Sequence, residues 1–182
     1  MEILLYTFDT DSSFRNGNWY TELLISSDEM GSAWNGTGQY FRMSGNQVYE
    51  LIDDTDYLLY DFALNLGDTF TVEPSGSWSE ARDLVVTSVD SVVLMDQTLR
   101  KRWVLSCMDG TGETVWVEGI GDLRGLLSVK KSCLLDVNAN LLCFTEEGEV
   151  LYRDSSATDC WETTSTRDIE RKKVNIHTNP TS

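Results

Sequence analysis

Short runs of β-branched and aromatic residues, each closed by turn-forming residues, recur along almost the whole chain, and this rhythm limits the fold more than any other feature. The runs are Ile3 to Phe8, Trp19 to Ile25, Gln39 to Met43, Gln47 to Ile52, Tyr57 to Ala63 and Thr69 to Glu73. They continue through Leu84 to Ser88, Ser91 to Met95, Leu99 to Ser106, Thr114 to Glu118, Gly125 to Lys130, Asn140 to Thr145 and Val150 to Arg153. No stretch carries an apolar period of 3.6 residues long enough for an amphipathic helix. The expected fold is therefore all-β.

Alternation supports strands over buried helices. Leu99, Lys101, Trp103 and Leu105 fall on one face of an extended chain, and Arg100, Arg102 and Val104 on the other. Ser44-Gly45-Asn46, Asp109-Gly110 and Glu147-Gly148 read as hairpin connections, with Asp96-Gln97 in a similar place. Connections this short imply an antiparallel meander. It is expected to close as a lipocalin-like barrel, which removes exposed edges, or to fold as a two-sheet sandwich.

A chain of 182 residues is long enough for one hydrophobic core. Its formal charge is −16, and Arg167, Arg171, Lys172 and Lys173 lie near the C-terminus, so the body is more acidic still. Such a surface repels phosphate backbones, and nucleic acid is excluded as a partner. No apolar run reaches the length of a membrane-spanning helix. Met1 to Tyr6 lacks the basic start and cleavage site of a signal peptide, so an export signal would lie upstream or have been removed. Residues 1–153 read as the β-domain. Residues 154–173, rich in Ser, Thr and Asp, read as a linker in which Cys160-Trp161 could staple the chain back to the body.

The four cysteines, Cys107, Cys133, Cys143 and Cys160, show no CxxC spacing and read as disulfides. Cys133 and Cys143 flank the turn-rich Asp136 to Asn140 and form the expected pair, which leaves Cys107 for Cys160. His177 is the only histidine and lies in the tail, so a Ser/His/Asp triad, a Cys/His dyad or a histidine zinc site in the body is excluded by inventory. Carboxylate-only catalysis such as glycoside hydrolysis is allowed, but nothing marks a particular pair.

Four motifs carry possible chemistry. Trp116 and Glu118 stand before Gly119 and Gly121, an aromatic beside a carboxylate that suits sugar or peptide binding; the competing reading is a core tryptophan before a glycine bulge. Trp34 and Trp78, set among Gly and Ser, are expected as exposed contact residues. Asp53, Asp54 and Asp56 gather carboxylates at one hairpin and are candidate calcium ligands, although the glycine and distal Glu of an EF-hand are missing; no other cofactor is expected. Asp61 and Asp68 could form an acid/base pair, but read better as caps of a tight turn.

The tail residues Val174 to Ser182, ending Asn179-Pro180-Thr181-Ser182, resemble the opening of the C-terminal sorting domain of Bacteroidetes type IX secretion substrates, with His177-Thr178 departing from its usual Tyr-Pro. Residues 174–182 would then be the start of a truncated sorting domain. The body is similar to β-domains that often precede such tails, through Gln47-Val48-Tyr49 with Leu58 to Phe62 and Gly67 to Phe70, through Arg100-Lys101-Arg102 with Trp116 to Gly121, and through Gly125-Leu126-Leu127 with Leu141 to Phe144. The resemblance implies export by the type IX machinery, a secreted or cell-surface location and oxidised cysteines; it carries no assigned activity. The expected function is a monomeric, non-enzymatic module binding glycan, peptide or an envelope protein, with a carboxylate-dependent hydrolase and a lipocalin-like carrier as alternatives.

Overall fold

The computed structural model describes residues 3–74, 80–131, 133, 139–161 and 172–178. The chain is all-β, as its sequence pattern requires. Strands β1 (Ile3–Arg15), β2 (Asn18–Ser26), β3 (Asn35–Ser44), β4 (Gln47–Ile52) and β5 (Thr55–Asp61) form an antiparallel meander. Its two-residue turns follow from local chemistry. Asn16 and Gly17 take φ of 47° and 80°, and Asp53 and Asp54 take 48° and 59°, left-handed conformations that Gly, Asn and Asp tolerate best.

The chain then crosses to a second antiparallel sheet built from β6 (Thr69–Val72), β7 (Arg82–Val93), β8 (Leu99–Cys107), β9 (Glu113–Val117) and β10 (Gly121–Asp122). A 3₁₀ turn, Ser128–Lys131, leads back to the first sheet, where β11 (Ala139–Glu146), β12 (Glu149–Arg153) and β13 (Lys172–Thr178) complete the order β12-β11-β13-β1-β2-β3-β4-β5. β13 runs parallel to both of its neighbours; every other described pairing is antiparallel. The eight-stranded sheet curls into a half-barrel. Backbone bonds from Leu141 N to Leu123 O and from Met95 N to Leu151 O, both 2.9 Å, stitch it to the five-stranded sheet.

The space between the sheets is filled. Leu23, Phe41, Leu59 and Tyr60 of the curled sheet meet Phe70, Leu84, Val86, Trp103, Leu105 and Trp116 of the flatter one. Tyr60 and Phe70 each pack edge to face against Trp116 with centroids 5.0 Å apart, an arrangement that adds about 0.5–1.5 kcal/mol per pair beyond area burial. The Trp103 indole donates to Leu64 O at 2.9 Å. A second cluster joins Val117 and Ile120 to Leu141, Phe144 and Leu151. The β-bulge between Leu141 and Phe144 turns Leu142 and Cys143 out of that cluster into a third, with Ile3 and Ala157.

Three expectations need correction. Gly125 to Lys130 is not a strand: Gly125 has φ of 117°, and the apolar run folds on itself through Ser128 N to Gly125 O at 2.9 Å and the Ser128 hydroxyl to Arg124 O at 2.8 Å. Its short apolar pattern does not separate strand from buried turn. Leu84 to Ser88 and Ser91 to Val93 belong to one strand, β7, which continues through a bulge between Val86 and Ser88, and Leu94 and Met95 lie beyond its end. The disulfides pair differently from the expected Cys133–Cys143 and Cys107–Cys160: they are Cys107–Cys133 and Cys143–Cys160. Cys107 ends β8 beside the segment after the 3₁₀ turn, and Cys143 projects from the bulge into the cluster holding Cys160 and Trp161, so Cys160 does staple the chain back, but to β11. Disulfides persist in oxidising compartments, which makes this a non-cytoplasmic protein. Among the described residues no helix is long and apolar enough to cross a membrane.

Candidate functional site

A cleft of about 530 Å³ opens where the concave side of the curled sheet faces the β9–β10 turn. Its walls are mainly phenylalanine and aliphatic side chains. Phe8, Phe41, Val48, Tyr60 and Phe144 come from the curled sheet, Ile120 from the β9–β10 turn, and Phe62 and Leu126 complete the apolar lining. Phe8 and Phe41 hold each other edge to face at 5.7 Å, and Phe62 stacks on Tyr60 at 5.7 Å, so these walls are fixed by aromatic packing. Polar side chains are the minority: Asp9, Thr21, Arg42, Asn46, Arg100 and Glu118.

The mouth is apolar and wet. Trp19, which lines the cleft, is 63% exposed, and Met43, beside it on the β3–β4 hairpin, is 71% exposed. The long β1–β2 hairpin carries Phe14 directly opposite Trp19 in register, 61% exposed, with ring centroids 5.3 Å apart. Strand alternation explains the arrangement. Trp19, Thr21 and Leu23 point to the same side of β2; Leu23 reaches the core, while Trp19 lies beyond it.

The opposite rim depends on two glycines. Gly119 and Gly121 take φ of 77° and 93°, and both line the cleft. A Cβ at Gly121 would lie 3.3 Å from the Tyr60 ring, and one at Gly119 would lie 3.0 Å from the Arg100 guanidinium. Conformation favours glycine at both positions, and close approach to the Tyr60 ring adds to it at Gly121. Glu118 is exposed at this rim and accepts a long 3.4 Å bond from Lys101 N. Arg100 reaches Glu146 at 3.4 Å.

Below the cleft, Tyr60 joins a buried polar network. Its hydroxyl donates to Leu126 O at 2.5 Å and accepts from Asp122 N at 3.2 Å. The Asp122 carboxylate accepts from the Thr114 hydroxyl at 2.6 Å and from Arg124 N at 2.8 Å, and pairs with the Arg124 guanidinium at 3.2 Å. Burial pushes the Asp122 carboxyl above its ordinary value, against Arg124 and Thr114, which favour the charged form. Burial, with Asp122 alongside, also drives the Tyr60 phenol well up. Lys130 of the 3₁₀ turn, half-buried, ion-pairs with the buried Glu50 on β4, and Gln39 Nε2 donates to the other Glu50 oxygen at 3.3 Å. These contacts fix the cleft floor; each carboxylate is already occupied by the fold.

Of the residues expected to bind ligand, only Glu118 lines the cleft. Trp116 does not: it is 0% exposed, enclosed by Tyr60, Phe62 and Phe70, and its indole nitrogen finds no acceptor among the described residues. The alternation that puts Trp103 in the core puts Trp116, its register partner, there too. Trp34 is half-buried, with its ring over Gly31, and does not line the cleft. Trp78 lies outside the described residues.

The three candidate calcium ligands are not brought together. Asp53 and Asp54 are the exposed turn itself, while Asp56 accepts from the Tyr20 hydroxyl at 2.6 Å and pairs with Arg42 at 2.6 Å. Among the described residues the only group close enough for metal coordination is Cys107, Asp109 and Cys133, whose two cysteines are joined to each other. Asp61 and Asp68 cap turns, accepting from Ala63 N at 2.9 Å and Asn65 N at 2.7 Å respectively. Trp19 and Phe14, the most accessible aromatics of the mouth, were hidden in sequence by their place in a regular strand pattern; the Asn16-Gly17 turn between them was the available signal. Comparison with protein-family models, with curated proteins and with solved structures finds no match to this chain.

Proposed function

We propose that this protein is a non-catalytic binding module of a secreted or cell-surface protein, and that its cleft takes an apolar segment of an extracellular peptide or envelope protein. One observation carries the reading: three large apolar side chains, Phe14, Trp19 and Met43, are left in water at the mouth of an apolar cleft. Contiguous exposed apolar surface beside a concavity is what protein and ligand sites share. The aromatic walls favour an apolar side chain over a sugar, because apolar side chains outnumber polar ones in the lining and would leave many sugar hydroxyls without partners. Export by the type IX machinery belongs to the same reading and rests on the tail sequence.

Peptide display against the immobilised full chain, followed by titration of selected peptides, tests it. Trp19→Ala and Phe14→Ala are expected to weaken binding tenfold or more, the loss of about 1.4 kcal/mol that an interface anchor supplies. Binding unchanged in both variants would remove the cleft from the reading. A glycan-array signal that depends on Trp19 would move the ligand class to carbohydrate. A small-ligand carrier is a second reading, favoured by the cleft volume of about 530 Å³, which lies within the range of small-molecule sites. Displacement of an apolar dye by lipid extracts but not by peptides would select it.

A further inference from the structure

The curled sheet is continuous only because its last strand fills a gap. β1 and β11 are not partners of each other; β13 lies between them and is in register with both, from Ile3↔Lys173 to Thr7↔His177 on one side and from Ala139↔Lys172 to Glu146↔Thr178 on the other. Without it the half-barrel has two facing, unpaired edges, the backbone template that an added strand recognises.

The tether of β13 is anchored on the wall of this gap. Cys160 is bonded to Cys143, in the β11 bulge between the pairs Leu141↔Val174 and Phe144↔Ile176. Residues 162–171 join that anchor to Lys172. Trp161 packs in the cluster that contains Ile3, and Ile3 is the residue opposite Lys173. The anchor and the entrance to the gap therefore lie at the same end of the sheet, which makes insertion within one chain easy without making it obligatory.

We propose that the seam between β1 and β11 is a strand-acceptor site, filled in cis by β13 and able to take β13 of a second copy of this chain. The exchange needs no new contact, because the same two parallel ladders form in trans. A short tether gives the cis strand an effective concentration on the order of millimolar, so dilute protein is monomeric and exchange grows as copies are concentrated.

Register supplies the test in the full-length chain. His177 is opposite Thr7 on β1 and Thr145 on β11. A chain carrying Thr7→Cys is mixed with one carrying His177→Cys at rising concentration under mild oxidation, and a Thr145→Cys chain with His177→Cys in parallel. The native cysteines are all bonded and do not compete. Covalent heterodimers linked 7 to 177, or 145 to 177, in severalfold excess over 7–7, 145–145 and 177–177 links are expected, rising with concentration. A statistical mixture of links is collision and overturns the proposal. The Thr7→Cys/His177→Cys double variant is expected to close within one chain when dilute. Closure there with no heterodimer in either mixture shows a strand that never exchanges, and a folded double variant that fails to close shows that β13 does not fill the seam; both overturn it. The readout is a covalent link that needs no ligand, so this result is distinguishable from failure of the proposed binding function.

Discussion

Trp116 and Trp19 are the same side chain put to opposite uses on the two sides of one cleft. Trp116, on β9, is enclosed by three aromatic rings and carries no exposed surface, whereas Trp19, on β2, packs on the Phe14 ring and is 63% exposed. The difference comes from what lies opposite. Trp116 lies in the core cluster between Tyr60 of the curled sheet and Phe70 of the second sheet, whereas Phe14 and Trp19 flank the Asn16-Gly17 turn at the tip of the β1–β2 hairpin and are left exposed. An aromatic in the core serves the fold, and one beyond its edge is available to a partner.

The sharpest way to break this contrast is to truncate both rings. Trp116→Ala removes a fully packed indole and is expected to cost about 3–5 kcal/mol of stability in urea denaturation, whereas Trp19→Ala should stay within about 0.5 kcal/mol. Comparable losses would mean that the β1–β2 hairpin is part of the core after all. Trp116→Phe should cost less than Trp116→Ala, because it keeps a ring and deletes an indole N–H that has no acceptor among the described residues.

The disulfides repeat the comparison between inside and edge. Cys107–Cys133 packs against the main core and closes 26 residues; Cys143–Cys160 belongs to the cluster beside Ile3 and closes 17. By chain entropy alone, replacing either pair by serine is expected to cost about 3 kcal/mol, slightly more for the longer loop. A further loss for Cys107–Cys133, seen in denaturant midpoints, would measure its place in the core. The second variant should instead loosen the seam and raise the strand exchange proposed above.

Gly121 lies on the boundary between the two regimes, so its substitution should register in both. Gly121→Ala is expected to cost about 1–3 kcal/mol, from a left-handed backbone and contact with Tyr60, and also to weaken cleft binding. Lost stability with binding intact would place Gly121 wholly in the core.

Much of this architecture was legible because strand physics is local. Period-two alternation put Trp103 and Leu105 on the buried face of β8, and the Asp, Asn and Gly pairs located the turns. What failed was what depends on neighbours distant in sequence. Cys143 reaches Cys160 because a bulge turns it out of the core cluster, and no spacing rule encodes a bulge. β13 is a strand by virtue of the gap between β1 and β11, so Lys172 to Thr178 reads as tail when taken alone. The cleft mouth was missed for the same reason: Trp34 and Trp78 stand in loop-like sequence, whereas Trp19 stands in a strand whose cover ends one turn of alternation too soon.

The smallest expected effect probes the face of the curled sheet where Arg42 lies over the Tyr49 ring at 4.1 Å and pairs with Asp56. Burial alone would raise the Asp56 carboxyl, but hydrogen bonds from Arg42 and Tyr20 outweigh it and hold the group below its ordinary value. A carboxyl depressed in the folded state contributes stability above its unfolded pKa, about 3.9, and loses that contribution as pH falls through the folded value. Arg42→Met is therefore expected to be less stable than the parent by about 1 kcal/mol or less near neutral pH, with the gap narrowing below about pH 4. A gap that stayed constant with pH would assign Arg42's contribution to its stacking on Tyr49 rather than to Asp56, making this face, like the core, one held by aromatic packing.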